Sequence, residues 1–172
     1  MANTIIVEDS RQQPGKHENI REYCEENGIR IIRSKLLCGD YSLPTNQSVC
    51  IDTKQGLGEV YNNLVQDHDR FARECDLAYE LGIHLVILVE EPDIDSLDDV
   101  HNWVNPRVER YMMIQKGHSM GRYTGTSLPP KKPIESDRFE KMMRTFADHH
   151  HGEWRFCDKS MTGAVLMEIL CG

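Results

Sequence analysis

The chain has 172 residues, 28 acidic against 20 basic, and a net charge of −8. That length is one domain with enough apolar content for a core, and the negative balance excludes a protein that holds nucleic acid by bulk charge alone. No apolar run reaches transmembrane length, MANTIIVED lacks a signal-peptide pattern, and the six cysteines contain no C-x-x-C pair, so we expect a cytoplasmic chain with reduced core thiols and no targeting signal.

Thr4 to Val7 predicts a short buried strand with Glu8 and Asp9 at its end, where chemistry collects in open α/β sheets. After the turn at Pro14, Gly15 and Lys16, a helix is expected from Glu18 to Asn27, with Ile20, Tyr23 and Cys24 inward and Gly28 as its stop. Ile29 to Leu37 reads as a second strand. Then comes GDYSLPTNQSVCIDTK, Gly39 to Lys54, around which the rest is organised. In Ser48–Lys54 the β-branched Val49, Ile51 and Thr53 alternate with Cys50, Asp52 and Lys54, the period of a strand. Asp52 and Lys54 then share a face, and a turn at Pro44–Gln47 brings Asp40 back towards them.

Leu57, Val60, Tyr61 and Leu64 have helical spacing, with Glu59 near that helix's start. Asp67–Leu81 is the next helix, with Phe71, Cys75 and Ala78 inward; Arg70 and Glu74 make an i,i+4 pair on it. Ile83–Val89 is nearly all apolar, as a strand covered on both faces should be. Ser96 is placed to cap a short helix reaching Trp103. From about 105 to 135 the composition turns basic, with Arg107, Arg110, Lys116, Arg122, Lys131 and Lys132 against Glu109; its glycines and prolines predict an irregular segment, either DNA-contacting or a solvated insertion. Asp137 and Glu140 suggest a capping box for a helix ending at His149, His150 and His151, whose spacing fits no standard zinc pattern. Trp154–Cys157 and Thr162–Leu170 close the chain as strand and helix.

Two carboxylates beside an ammonium suit phosphodiester hydrolysis. Hard oxygen donors hold Mg2+ with water positions left open, the ion acidifies a water and offsets charge on phosphate, and the lysine supports both tasks. The plainer reading of the same residues is a hairpin with a surface ion pair.

GDYSL followed by a strand ending in IDTK resembles the signature of XPF-type structure-specific endonucleases, a branch of the PD-(D/E)XK superfamily. IIVEDSRQ is similar to that family's first strand, which ends Asp-x-Arg-Glu: Asp9 and Arg11 match, and Gln12 replaces Glu. Asp52-Thr53-Lys54 stands for Glu-Arg-Lys, and Gly58 occupies a position where the family commonly has Asp. Arg70 and the run LVILVE, ending at Glu90, match in order, and the tail FCDKSMTGAVLMEIL is also alike.

The alternation of strands and helices, with this resemblance, implies an α/β fold: a restriction-endonuclease-like central mixed sheet flanked by helices. The implied function is Mg2+-dependent DNA cleavage, with Mn2+ able to substitute, giving a 5′-phosphate and a 3′-hydroxyl. Asp9, Asp40 and Asp52, with the Thr53 carbonyl, are the implied metal ligands, and Lys54 activates water. Arg11 and Arg70 would hold phosphate, with Arg122, Lys131 and Lys132 as further DNA contacts. The resemblance also implies structured or branched DNA substrates in repair, recombination or replication, and a possible homodimer. The family's helix-hairpin-helix domain and helicase do not follow by Gly172, which suggests a minimal nuclease of a bacterium or phage. The alternatives are a Holliday-junction-resolvase-like nuclease and a catalytically weak nucleic-acid or protein binding module that retains the fold.

Overall fold

The computed structural model describes residues 4–13, 15–121 and 131–172. Six strands form one mixed sheet: β1 (Ile5–Asp9), β2 (Arg30–Ser34), β3 (Tyr41–Ser42), β4 (Val49–Lys54), β5 (His84–Glu90) and β6 (Glu153–Cys157), in the order β2-β1-β3-β4-β5-β6. β3 is antiparallel to both its neighbours, and the other pairs are parallel. The helices are α1 (Glu18–Glu26), α2 (Leu57–Val65), α3 (His68–Glu80), α4 (Pro106–Ser119), α5 (Ser136–His150) and α6 (Thr162–Cys171), with short 3-10 turns at Leu97–Asn102 and Lys159–Met161. The expected α/β architecture is therefore present. No helix among the described residues is long and apolar enough to cross a membrane.

The sheet has a core on each face. Leu85, Ile87 and Val89 of β5 pack with α2, α3 and α5, whereas Val86 and Leu88 pack with α1 and α6. This two-sided burial is why β5 reads as an unbroken apolar run. β4 follows the same alternation: Cys50 belongs to the α2–α3 side and Ile51 to the α1–α6 side. Asp52 and Lys54 share the Cys50 face and Thr53 the other. On that second side α6 lies hard against α1, since a Cβ on Gly163 would come within 2.5 Å of the Tyr23 side chain.

Three expectations change. β2 stops at Ser34, not Leu37, because its partner β1 ends at Asp9; Leu36 instead donates its N–H to Asp9 Oδ2 at 3.0 Å. The segment expected to be irregular from 105 begins as a fourteen-residue helix, α4. Pro106 occupies its first turn and Asn105 Oδ1 accepts from Arg107 N at 3.0 Å, both standard helix starts. The capping box of α5 does not form: the helix begins at Ser136 after Glu135, and Glu140 instead pairs with Arg144 at 2.9 Å.

Candidate active site

Asp40 reaches the site through a tight turn before β3. Gly39 has φ +66°, and a Cβ there would lie 3.0 Å from the Ile51 carbonyl oxygen, so glycine is required twice over. Asp40 N–H donates to Ile51 O and Asp40 O accepts from Asp9 N, each at 2.7 Å. One residue is thus stitched between the end of β1 and the middle of β4.

The strand ends open onto a cleft of about 590 Å3 lined by Asp9, Asp40, Asp52, Lys54, Arg11 and Arg70. The cleft gathers into one place residues from four elements far apart in the chain, from Asp9 in β1 to Arg70 in α3. Glu59 and Glu74 also line it. Glu59 binds Lys16 Nζ at 3.1 Å and Gln55 N at 2.9 Å; Glu74 Oε1 accepts from Gly39 N at 3.1 Å, so it braces the Asp40 turn.

Asp52 and Lys54 are buried side by side as an ion pair, with Nζ 2.5 Å from Oδ2. Lys54 Nζ also sits 5.0 Å above the Phe71 ring. Burial pushes the Asp52 carboxyl up to about 6 against the opposing pull of Lys54, and Asp40 adds to the rise. Burial lowers the Lys54 pKa, but Asp52 more than offsets it, so the ammonium keeps its proton. Burial also raises Asp40, although the Thr53 hydrogen bonds oppose it. Both bonds from Thr53, N–H at 2.9 Å and Oγ1–H at 2.7 Å, fall on Asp40 Oδ2.

Asp9 is used differently. Its Oδ1 accepts from Arg11 N and Nε, and its Oδ2 from Arg11 Nη2 and Leu36 N. Burial raises its pKa, but the Arg11 and Leu36 donors outweigh burial and hold it below the usual carboxylate range. Among the described residues no group of three or more His, Cys, Asp or Glu is arranged to hold a metal ion. The fit is of another kind. Asp40 Oδ1 and Asp52 Oδ1 make no hydrogen bond or ion pair among the described residues, so each carboxylate keeps one oxygen uncommitted. Mg2+ is commonly held by one or two carboxylates while keeping several waters, so this donor set suits it without a protein cage.

Behind the site lies a residue to which no motif in the chain points. Thr53 Oγ1 is 3.0 Å from His17 Nε2. The hydroxyl hydrogen is committed to Asp40, so Oγ1 accepts and His17 carries its proton on Nε2. His17 is buried, and its Nδ1 lies 4.0 Å from Glu90 Oε1 without a hydrogen bond. Burial, then Lys16, lowers its pKa, so the ring is neutral. Two more lining residues, Gln12 and Asn63, each bury an amide atom without a partner among the described residues. Asn63, between Tyr61 and Leu64 on a largely apolar helix, was visible in principle as a polar residue on a core-facing turn.

The described basic residues of the segment from 105 to 135 do not line the cleft. Lys131 and Lys132 are exposed and are not among its lining, and Lys132 pairs with Glu135. Arg122 lies outside the described residues. Arg107 is structural: its guanidinium stacks 4.7 Å over Tyr61 and donates to Asn62 Oδ1 at 2.7 Å. The three histidines diverge, His150 to Asp76 at 2.8 Å and His151 onto Tyr79 with ring centroids 3.8 Å apart.

No protein-family model matches the chain, and neither does any curated protein sequence. Solved structures do. XPF from Aeropyrum pernix superposes with a TM-score of 0.59 at 16% identity, over 96% of this chain and 63% of that one. The chain has an XPF-like fold. The structure of Aeropyrum pernix XPF in complex with DNA gives a TM-score of 0.56 at 15% identity, over 98% of this chain. The chain spans just under two thirds of each of those chains, 63% and 64%.

Proposed function

We propose that the chain is a divalent-metal-dependent endonuclease that hydrolyses DNA phosphodiester bonds, on branched or flap DNA. The observation that carries this reading is the cleft in which β1, the Gly39–Asp40 turn and β4 present Asp9, Asp40, Asp52 and Lys54 together. The XPF-like fold and the DNA-bound form of Aeropyrum pernix XPF support the choice of substrate.

Asp40 and Asp52, with the Thr53 carbonyl, would hold Mg2+; when bound, the ion supplies charge that offsets the developing negative phosphate and acidifies a coordinated water. The chain's own residues do the rest. Lys54 stays an ammonium, so it acts as a fixed donor to the attacking water and to a phosphate oxygen rather than as a base. Arg11, locked by Asp9, and Arg70 from α3 present guanidinium donors to the flanking phosphates. The water oxygen joins phosphorus as the bond to the 3′ oxygen breaks; the water gives up a proton to solvent and the leaving 3′ oxygen takes one from solvent, which yields a 5′-phosphate and a 3′-hydroxyl. His17 keeps Thr53, and through it Asp40, in place.

The test is a gel assay of purified protein on flap, fork, four-way-junction and linear DNA with Mg2+, with Mn2+ and with chelator. Cutting that needs the metal and prefers branched DNA is expected. Absence of metal-dependent cutting on every substrate, with DNA still bound, would replace this reading by that of a binding module.

A further inference from the structure

A second cavity, of about 360 Å3, lies on the other side of the α2–α3 junction. Its floor is apolar, formed by Leu64, Met142 and Phe146. Its rim carries Arg138, Lys141 and His149 of α5, facing His68 at the start of α3. Arg138, Lys141, Thr145 and His149 follow one another at intervals of three, four and four residues, so one stripe of the helix points into the space. Among the described residues no carboxylate lines this cavity, in a chain whose net charge is −8.

The charges here are unspent. Arg138 and Lys141 are exposed, and neither makes an ion pair among the described residues. Arg144 on the same helix is neutralised by Glu140 and Asp98. The nearby acids serve the imidazoles: Asp76 Oδ1 lies 2.8 Å from His150 Nδ1, and Asp69 Oδ1 3.6 Å from His68 Nδ1.

The position ties this cavity to the cleft. Leu64 follows Asn63 in α2, and His68 opens the same turn of α3 that carries Arg70; Asn63 and Arg70 line the cleft. The cavity and the cleft thus border the same two helices, each taking a residue from one turn of α2 and one turn of α3. Cationic donors above an apolar floor match a chain of phosphates joined by sugars. We infer that this cavity is a second phosphate-binding site, which takes the backbone of the DNA strand flanking the scissile bond. This rests on reading the cleft as the site that cuts DNA.

The experiment is DNA binding by fluorescence anisotropy in EDTA across a salt series, for the wild type and for Arg138→Gln/Lys141→Gln, with Arg155→Gln as a control that removes charge elsewhere. Cleavage of the same DNA by the wild type is measured in parallel, and melting curves check that the variants are folded. The double variant should bind about tenfold more weakly, with a salt slope reduced by about 2, one for each lost phosphate contact; the control should bind as the wild type does. Wild-type affinity and slope in the double variant, with the wild type still cutting DNA, overturn this proposal alone. A wild type that neither binds nor cuts DNA overturns both readings. Stabilisation by inorganic phosphate that the double variant loses, with DNA affinity unchanged, would assign the cavity to a free anion and likewise overturn it.

Discussion

Replacing Asp52 and Lys54 together should cost the fold far less than replacing either alone. Their charges lie 2.5 Å apart with side-chain exposures of 7% and 8%. At that distance and an effective dielectric of about 20, their attraction is about 7 kcal/mol. Desolvation costs several kcal/mol for each ion, so the two terms nearly cancel. The carboxyl shows the same balance: lifting it from 3.8 to about 6 is a penalty of about 3 kcal/mol on its charged form. Lys54→Met leaves an unpaired buried carboxylate and Asp52→Asn an unpaired ammonium, each expected to lose about 3–5 kcal/mol. The double variant, with the introduced methionine side chain against Phe71, should lie between no change and a gain of about 1–4 kcal/mol. The measurement is urea unfolding in EDTA followed by the fluorescence of Trp103 and Trp154, both in the core on the α2–α3 side of the sheet. Because the folded pKa of Asp52 is raised, the stability linked to it is full below 3.8 and falls as the pH rises towards 6; Asn at this position removes that slope. All three variants should fail to cut DNA. A double variant that loses the sum of the two single losses would refute the account of the pair as a near-balanced buried ion pair.

Gly39→Ala should lower stability by about 1–3 kcal/mol, because it adds left-handed strain to a 3.0 Å contact with rigid backbone, and should abolish cutting; an unchanged melting temperature would contradict this. His17→Ala should reduce kcat by about 10–100-fold with little change in DNA affinity, and His17→Gln should recover part of it by donating to Thr53; equal loss in both variants would deny the positioning role. Asp9→Asn should destabilise at neutral pH, and the difference should close as the pH falls through and below 3.8, since a depressed carboxylate stabilises only while ionised; a pH-independent difference in urea titrations would argue against it. Arg107→Ala should cost about 1–2 kcal/mol of stability through its contacts with Tyr61 and Asn62, yet leave DNA affinity unchanged in anisotropy measurements.

The alternation of Ser48–Lys54 was enough to place Asp52 and Lys54 on one face, because a strand's period is two and nothing nearby interrupts it. The hairpin that returns Asp40 was legible in Pro44–Gln47, and Arg70 through its place in the chain's motif order. α4 was not, because it buries only Gly117 among its helical residues and exposes Met112 and Met113, so the usual apolar stripe is missing; its start signals, Asn105 and Pro106, were present but outweighed by the glycines and basic residues that follow. His17 was hidden for a different reason. Its partner Thr53 is 36 residues away on another element, and neither residue type at that spacing carries a pattern. Asp9 was placed correctly at the cleft, but its pairing with Arg11 two residues on competes with any other partner, which a sequence motif cannot express.

β3 is only two residues long, and it alone separates the parallel pair β1–β2 from the parallel run β4–β5–β6. The two carboxylates therefore stand on different supports: Asp52 within a six-rung ladder, Asp40 beside a strand held by two rungs on each side and by its own bonds to Asp9 and Ile51. An ion bound between them would depend on this two-residue seam, and mutations that break its rungs should weaken metal affinity and part β1–β2 from a still-paired β4–β5–β6.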